Sequence, residues 1–234
     1  PYFAERYGAE FEVIVSVNGS RDGTADVVRA LQPAHPQLRM IVDPRPIGKG
    51  GAIIAAGALA RGDLIGFVDA DGATPPAAFD DLVRHVGGAG LIIASRWMPG
   101  AVVSPRQPWQ RRTASRIFNF LVRRMFKLQI TDTQCGAKLM TAAAWRAIVP
   151  HIGLTKWAFD VDMLFKTRRA HYPIREIPTT WSDVGGSKLR VGRVSLQMFV
   201  AICRLRLLYS PFRWVVALYD RLLGRVIDLD AVGG

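Results

Sequence analysis

Two carboxylates stand one residue apart where an apolar stretch ends, at Asp69 and Asp71 in the segment FVDADGATPP. The preceding residues 64–68 are apolar and predict a buried strand. Alternate residues of an extended segment point the same way, so both side chains can face one ligand beyond the carboxyl end of that strand. Paired hard oxygen ligands suit Mg²⁺ or Mn²⁺ bridging to substrate phosphates. The alternative is a helix N-cap beside a solvated turn acid, since D-G and T-P are turn signals.

Positive charge is concentrated in the second part of the chain. Residues 1–95 contain 8 Lys and Arg against 11 Asp and Glu, a net charge of −3, whereas residues 96–234 contain 23 against 8, a net charge of +15. Ordinary solvation is one explanation, but such an asymmetry is typical of a protein with an anionic partner. Nucleic acid, a phosphorylated substrate and an anionic membrane surface all satisfy it.

The elements that must position the acid pair alternate in kind. Strands are predicted at residues 11–17, 38–42, 64–68 and 91–94, and helices at residues 25–31, 52–59 and 77–86. The Gly-rich segment IGKGG, which contains Lys49, is predicted to be a loop suited to approach by a nucleotide. Apolar strands alternating with helices predict an α/β fold, with a mostly parallel sheet covered by helices on both faces.

After Arg96 the pattern changes. The segment TDTQCGAK is predicted to be a loop, and PIREIPTTW an edge strand because its prolines restrict pairing. Further helices are predicted at residues 112–127, 142–148, 158–170 and 194–208. We interpret the change at residue 96 as a division of labour within one domain.

A series of motifs occurs in a recognisable order. NGSRDGT follows the first strand, and then come IGKGGA, VDADGATPP, IASRW, RRTASRIFNFLVRRMF, DTQCGAKLMT, WAFDVDMLF and GGSKLR. The series resembles the family 2 glycosyltransferases that load sugars onto polyprenyl phosphates. ADGAT, DTQCGAK and WAFDVD make it most similar to their dolichyl-phosphate glucosyltransferase branch. The resemblance extends from Glu12 to Leu208.

The resemblance implies a glycosyltransferase A-type, Rossmann-like fold and the inverting transfer of a hexose. Glucose from UDP-glucose is the expected donor sugar, and a polyprenyl or dolichyl phosphate is the expected acceptor. Asp71 is then the direct ligand of Mg²⁺ or Mn²⁺ and Asp69 lies near the ribose and the metal, so that charge on the leaving diphosphate is stabilised. Asn18 and Lys49 complete the expected nucleotide-sugar site. Residues 1–95 form the nucleotide-sugar half, and residues 96–234 the half that binds the acceptor and the membrane surface.

A phosphate acceptor is already anionic, so it needs fixed cations more than a strong general base. The resemblance implies an acceptor-phosphate site made of Arg96, Arg111, Arg112, Ser115, Ser187 and Lys188. Guanidinium groups bind phosphate oxygens through a planar fork, although any single arginine can instead be a solvated surface residue. Asp132 is a candidate catalytic acid that orients the acceptor, with a structural turn acid as the alternative. Asp160 and Asp162 either orient the sugar, or cap and pair within their helix.

The helix predicted at residues 112–127 has a basic face opposite an apolar face. At roughly 100° per residue the basic set spans an arc of about 60° and comprises Arg112, Arg116, Arg123 and Lys127. The apolar set on the far side comprises Ile117, Phe118, Leu121 and Met125. Such a helix can lie in a membrane interface, with core packing as the alternative. Since no run of about eighteen uncharged apolar residues occurs, we expect a peripheral protein without a transmembrane helix, at the cytoplasmic face of a membrane.

Two departures from the family pattern affect these expectations. Val17 and Asn18 stand where family members carry an Asp-Asp pair that meets the nucleotide base. The family's apolar first strand, which ends in a Pro-x-Tyr-Asn-Glu-like motif, is missing, so we expect an N-terminally shortened fragment that binds nucleotide weakly. The alternatives for function are such an inactive fragment, a GDP-mannose donor, or a soluble phosphorylated acceptor. Nucleic-acid binding rests on charge alone and is disfavoured, because it requires basic residues interleaved with exposed aromatics.

Overall fold

A computed structural model describes residues 1–105, 108–153, 158–182, 191–216 and 218. In chain order the strands are β1 Val13–Asn18, β2 Leu38–Asp43, β3 Leu64–Phe67, β4 Leu91–Ser95, β5 Val102–Val103, β6 Lys138–Thr141, β7 Ile174–Pro178 and β8 Thr180–Trp181. The helices are α1 Tyr2–Tyr7, α2 Thr24–Leu31, α3 Gly48–Gly57, α4 Pro76–His85, α5 Trp109–Phe126, α6 Ala142–Ile148, α7 Phe159–Arg169 and α8 Val191–Leu208.

The strands form three hydrogen-bonded groups. β1 and β2 pair in parallel, with Val13 opposite Leu38 and Asn18 opposite Asp43. A four-stranded sheet has the order β3-β6-β4-β7, in which β6 is antiparallel to both neighbours and β4 is parallel to β7. β5 and β8 form a third, parallel pair. The predicted α/β fold with a mostly parallel sheet is confirmed, and β6 is its antiparallel exception.

Strand β6 is missing from the predicted elements. Its residues Lys138–Thr141 follow a polar stretch and begin with a lysine, whereas a central strand normally presents an apolar run. In the structure Lys138 is fully buried. β6 nevertheless lies between β3 and β4. Because β6 begins at Lys138, the loop predicted for TDTQCGAK ends one residue too late.

Helix α3 begins earlier than predicted. Lys49 and its neighbouring glycines form the first turn of α3, so the predicted IGKGG loop is wrong from Gly48 onward. At the other end of α3, Gly57 allows close packing, because a Cβ there would lie only 2.0 Å from the Trp145 ring. Lys49 is therefore fixed at the N-terminal end of a helix that packs against its neighbours.

The core lies on both faces of β4, whose five residues are all fully buried. Leu91 and Ile93 face a large cluster formed with α5, α6, α7 and α8. Ile92 and Ala94 face the opposite side, where Leu82 of α4 covers them. Burying each large aliphatic side chain stabilises the fold by roughly 1.5–3 kcal/mol. Helices thus cover both faces, as the apolar run predicts.

Helix α5 packs against the core with most of its predicted apolar set, namely Phe118, Leu121 and Met125. Phe118, Val122 and Phe126 are buried at four-residue spacing, as a helix packed on a core requires. Ile117 and Phe120 are 55% and 65% exposed, so Ile117 of the predicted apolar set does not join the core. In the part of the chain that the structure describes, no helix combines the length and apolar character needed to cross a bilayer.

Helix α1 is anchored to α4 through one buried acid. Asp80 is fully buried, and it accepts hydrogen bonds from Tyr2 Oη at 3.1 Å, from Arg6 Nε at 3.0 Å and from Tyr7 Oη. The hydrogen bond to Asp80 raises the pKa of Tyr7. Burying a carboxylate without partners would be costly, so this cluster fixes the first residues of the chain against α4.

Candidate active site

Asp69 lies two residues beyond β3, between α3 and the loop that precedes β6. Its Oδ1 is 2.8 Å from Lys49 Nζ, and its side chain is 41% exposed. On the opposite side, a Cβ added to Gly136 would lie 1.9 Å from Asp69 Oδ2. Only a glycine leaves room there, so the backbone at residue 136 and the helix cation together fix the orientation of the carboxylate.

Asp71 closes the next turn. Its Oδ1 accepts a hydrogen bond from the Ala73 backbone N–H at 3.0 Å, in a turn where Gly72 adopts a φ of 74°. Asp71 is exposed, and its second oxygen has no partner among the described residues. One oxygen of Asp71 therefore serves the turn, while the other remains available to a ligand.

The two carboxylates fit the predicted divalent cation. Within the described ranges, no cluster of three or more His, Cys, Asp or Glu could hold a metal ion. Asp69 and Asp71 would therefore be the residues to hold such an ion, and waters and substrate phosphate oxygens would supply its other ligands. Mg²⁺ and Mn²⁺ accept this kind of site, because they retain waters and bind phosphates.

A chain of alternating charges leads from Asp69 into the core. Lys49 Nζ lies 3.6 Å from Asp160 Oδ2, and Asp160 Oδ1 accepts a hydrogen bond from Lys138 Nζ at 2.6 Å. Lys138 also donates to the Cys135 carbonyl at 2.6 Å. Burial raises the pKa of Asp160, but Lys138 and Lys49 outweigh burial and lower it overall. Burial likewise opposes the charge of Lys49, yet Asp160 and Asp69 raise its pKa. Asp160 and Lys49 are therefore both charged at neutral pH.

Arg96 and Asp132 form a second, mostly buried ion pair. Arg96 Nε and Nη2 lie 2.7 Å and 3.0 Å from Asp132 Oδ2 and Oδ1, and the Arg96 backbone N–H donates to Oδ2 at 3.1 Å. The Asp132 side chain is fully buried and that of Arg96 is 13% exposed. Burial opposes the charge of Arg96, but Asp132 raises its pKa above the ordinary value. Asp132 therefore orients Arg96 directly.

Glu176 on β7 is a site-supporting residue that sequence reasoning missed. It accepts hydrogen bonds from the backbone N–H of Thr131 at 2.9 Å and from that of Asp132 at 2.8 Å. Thr131 Oγ1 in turn lies 2.9 Å from Ser95 Oγ. These bonds hold the loop that presents Asp132 to Arg96. Glu176 lies 44 residues from Asp132 in sequence, so no local pattern could have identified it.

Two tryptophans surround the Arg96 guanidinium. Its Cζ lies 5.3 Å from the centre of the Trp181 ring and 6.0 Å from that of Trp97. Arg116 Cζ lies 5.3 Å from the same Trp97 ring. Trp97 therefore brings Arg116 of α5 near Arg96 of the sheet edge, and such cation–π contacts stabilise each guanidinium modestly. Arg116 is thus an additional candidate for the acceptor-phosphate site.

The remaining predicted site residues occupy three regions. Arg111, Arg112 and Ser115 lie in the first two turns of α5. Asn18 ends β1 opposite Asp43. The predicted contacts of Ser187 and Lys188 lie outside the described residues.

The two acids of the WAFDVD motif have different surroundings. Asp160 joins the Lys49 cluster, as described above. Asp162 instead accepts hydrogen bonds from Tyr209 Oη at 2.6 Å and from the Gly153 N–H at 3.0 Å. Burial and the bond to Asp162 raise the pKa of Tyr209. Asp162 therefore pairs within the core.

The sequence of this chain is similar to those of known glycosyltransferases. The profile of a family described as "Glycosyl transferase family 2" matches residues 3–148. A dolichyl-phosphate beta-glucosyltransferase of Trichomonas vaginalis is 31% identical over 88% of this chain and 63% of its own length. The corresponding protein of Dictyostelium discoideum is 31% identical over 88% of this chain and 65% of its own length. The chain thus spans just under two thirds of these relatives.

Solved structures share the fold at low sequence identity. Glucosyl-3-phosphoglycerate synthase from Mycobacterium tuberculosis, in complex with Mn²⁺, UDP and product, superposes with a TM-score of 0.59 at 16% identity, over 82% of this chain and 67% of that one. A mannosyltransferase from Pyrobaculum calidifontis, in complex with GDP-Man and Mn²⁺, superposes with a TM-score of 0.56 at 16% identity, over 95% of this chain and 67% of that one. The predicted glycosyltransferase A-type fold is confirmed.

Proposed function

The chain belongs to glycosyltransferase family 2, and we propose that it transfers glucose from UDP-glucose to a polyprenyl or dolichyl phosphate with inversion. The observation that carries this proposal is the 31% identity to dolichyl-phosphate beta-glucosyltransferases over 88% of the chain. The geometry supports it, because the acid pair beyond β3 and the cations around Arg96 suit a diphosphate donor and a phosphate acceptor.

The donor half of the reaction depends on charge compensation. Asp69 and Asp71 would hold Mg²⁺ or Mn²⁺, which when bound supplies positive charge to the leaving diphosphate. Lys49 contributes a second cation beside it, and Asn18 at the end of β1 is the proposed contact to the nucleotide. An acceptor phosphate oxygen attacks the anomeric carbon while the bond from that carbon to the UDP oxygen breaks. The electron pair leaves on the diphosphate.

The acceptor half depends on oriented cations. The acceptor phosphate is ionised near neutral pH, so its oxygen needs orientation more than deprotonation. Arg96 is held by Asp132 and offers its remaining N–H groups, and charge-assisted bonds from guanidinium to phosphate are among the strong hydrogen bonds. The other groups proposed for the same phosphate are Arg111, Arg112, Ser115, Ser187 and Lys188.

The proposal includes docking at a membrane surface, on its cytoplasmic face. On α5, Trp109 and Phe120 are 70% and 65% exposed, and after α8 Phe212 and Trp214 are 58% and 60% exposed. Trp109 and Phe120 lie on one side of α5, because about 100° per residue brings positions 109 and 120 to nearly the same angle. Contiguous exposed apolar patches typically mark an interaction site. Basic residues accompany them: Arg116, Arg123, Arg124, Lys127 and Arg213 are all exposed. An apolar and basic surface suits an anionic bilayer, at which the acceptor phosphate would lie.

A substrate matrix tests the proposal. The protein is incubated with labelled UDP-glucose or GDP-mannose, with Mn²⁺ or Mg²⁺, and with either polyprenyl phosphate in vesicles or 3-phosphoglycerate in solution. We expect lipid-linked glucose from the first donor and the first acceptor only. Label transferred to 3-phosphoglycerate alone, label from GDP-mannose alone, or no transfer in any combination would overturn the proposal. The Asp71→Asn variant is the matched inactive control.

A further inference from the structure

Lys49 is the one cation of the described residues that contacts Asp69, and it contacts a second acid as well. Its Nζ lies 2.8 Å from Asp69 Oδ1 and 3.6 Å from Asp160 Oδ2. Asp160 is already compensated by Lys138, whose Nζ is 2.6 Å from Asp160 Oδ1. Lys49 is therefore needed less by Asp160 than by Asp69.

The same Asp69 oxygens are those that a divalent cation would need. Oδ2 is packed against the backbone of Gly136, as the 1.9 Å approach of a hypothetical Cβ shows. Oδ1 is occupied by the ammonium group of Lys49. A metal ion that coordinates Asp69 must therefore compete with Lys49 for this carboxylate.

We propose that Lys49 is an internal counter-cation that occupies Asp69 in the ligand-free protein. When a divalent cation and a nucleoside diphosphate bind, the ammonium group leaves Asp69 and moves to Asp160 and the diphosphate. This inference rests on the proposed function, since it requires a metal and a diphosphate at this site. It goes further by assigning Lys49 a coupling role between the two ligands.

The surroundings of Lys49 keep the free-energy cost of moving its ammonium group away from Asp69 low. The side chain is 38% exposed, so its ammonium group can move without crossing the core. Asp160 is kept ionised by the buried Lys138, and it offers an anionic contact that Lys49 already approaches. The incoming diphosphate adds negative charge where the ammonium group is released. Each ligand therefore favours binding of the other, and thermodynamic linkage requires this effect to be reciprocal.

The first measurement is Mn²⁺ binding without nucleotide, by electron paramagnetic resonance or calorimetry. Lys49→Met removes the competing charge at similar length, so Mn²⁺ should bind about three-fold more tightly, within the roughly two- to five-fold range of a partly exposed ion pair. Lys49→Arg keeps the charge and should retain the wild-type affinity. Arg29→Met removes an exposed cation paired with Asp26 on α2, and it controls for net charge. Equal Mn²⁺ affinity in wild type and Lys49→Met would overturn the proposal.

The second measurement is UDP binding with and without Mn²⁺. In the wild type, Mn²⁺ should strengthen UDP binding by a larger factor than in Lys49→Met, because only the wild type releases a cation onto the diphosphate. An unchanged factor would overturn the coupling role even if glucose transfer by the wild type upholds the proposed function. If the wild type binds no Mn²⁺ in the presence of UDP, the metal assignment fails and the counter-cation role fails with it.

Discussion

The fully buried Lys138 provides a quantitative test of the charge network. Replacing Lys138 by Met leaves Asp160 buried, with Lys49 at 3.6 Å as its remaining cation. Removing one partner of a buried ion pair typically costs about 3–5 kcal/mol. We expect about 3 kcal/mol, because Lys49 compensates part of the stranded charge. For a 234-residue chain this corresponds to a melting temperature lowered by about 6–12 °C.

The pH dependence of this loss identifies its cause. In the wild type the pKa of Asp160 is lowered, so its contribution is present above the ordinary aspartate pKa and is lost as pH falls through the folded-state pKa. In Lys138→Met burial dominates and the pKa of Asp160 rises, so protonation relieves the penalty as pH falls. The difference in unfolding free energy between the two proteins should therefore be smaller at about pH 5 than at about pH 7.

Urea denaturation at both pH values measures the effect. The double variant Lys138→Met with Asp160→Asn is the matched control, and it should be more stable than Lys138→Met at neutral pH because no charge is stranded. A stability difference below about 1 kcal/mol, or one that does not change with pH, would refute the buried-charge reasoning.

Four further predictions concern the site and its surface. Asp71→Asn should lower kcat by about 100-fold or more in the presence of Mn²⁺ while leaving the melting temperature unchanged; retained transfer would refute a ligand role. Arg111→Ala should raise KM for the lipid phosphate about ten-fold, by loss of a charge-assisted bond, with a smaller effect on KM for the sugar nucleotide; equal effects would argue against acceptor binding. Gly136→Ala should displace Asp69 and weaken Mn²⁺ binding in the presence of UDP about ten-fold, and unchanged binding would show that Asp69 does not ligate the metal. Phe120→Glu should reduce sedimentation with anionic vesicles about ten-fold, whereas full retention on vesicles would remove α5 from the membrane surface.

Most of the fold followed from local patterns in the sequence. The strands β1 to β4 and the helices between them obey simple apolar periodicities, and all were predicted near their observed positions. β6 escaped prediction because its fully buried Lys138 contradicts the apolar pattern of a central strand. The charge is tolerated there only because Asp160 and the Cys135 carbonyl, brought close by the fold, accept its hydrogen bonds.

The site was predictable where it lies on short motifs, and not where it depends on long-range pairing. Asp69 and Lys49 were expected to serve one nucleotide, and the structure brings their charged groups to 2.8 Å. The support that Glu176 gives to the Asp132 loop carries no local signature, since it arises from the pairing of β7 with β4. On α5 the apolar set was predictable, but periodicity could not tell that Phe118 is buried while Ile117 is 55% exposed.

The position of β6 between β3 and β4 has a consequence for how the protein is made. Those two strands leave the ribosome first, but neither can complete its hydrogen bonds until residues 138–141 have been synthesised. The four-stranded sheet therefore cannot form earlier. A polypeptide cut between residues 95 and 96 would give one piece with β3 and β4 and another with β6, the strand that pairs with both. The segments before and after residue 96 are therefore interlocked through β6, so that neither could be exchanged alone by evolution or an engineer.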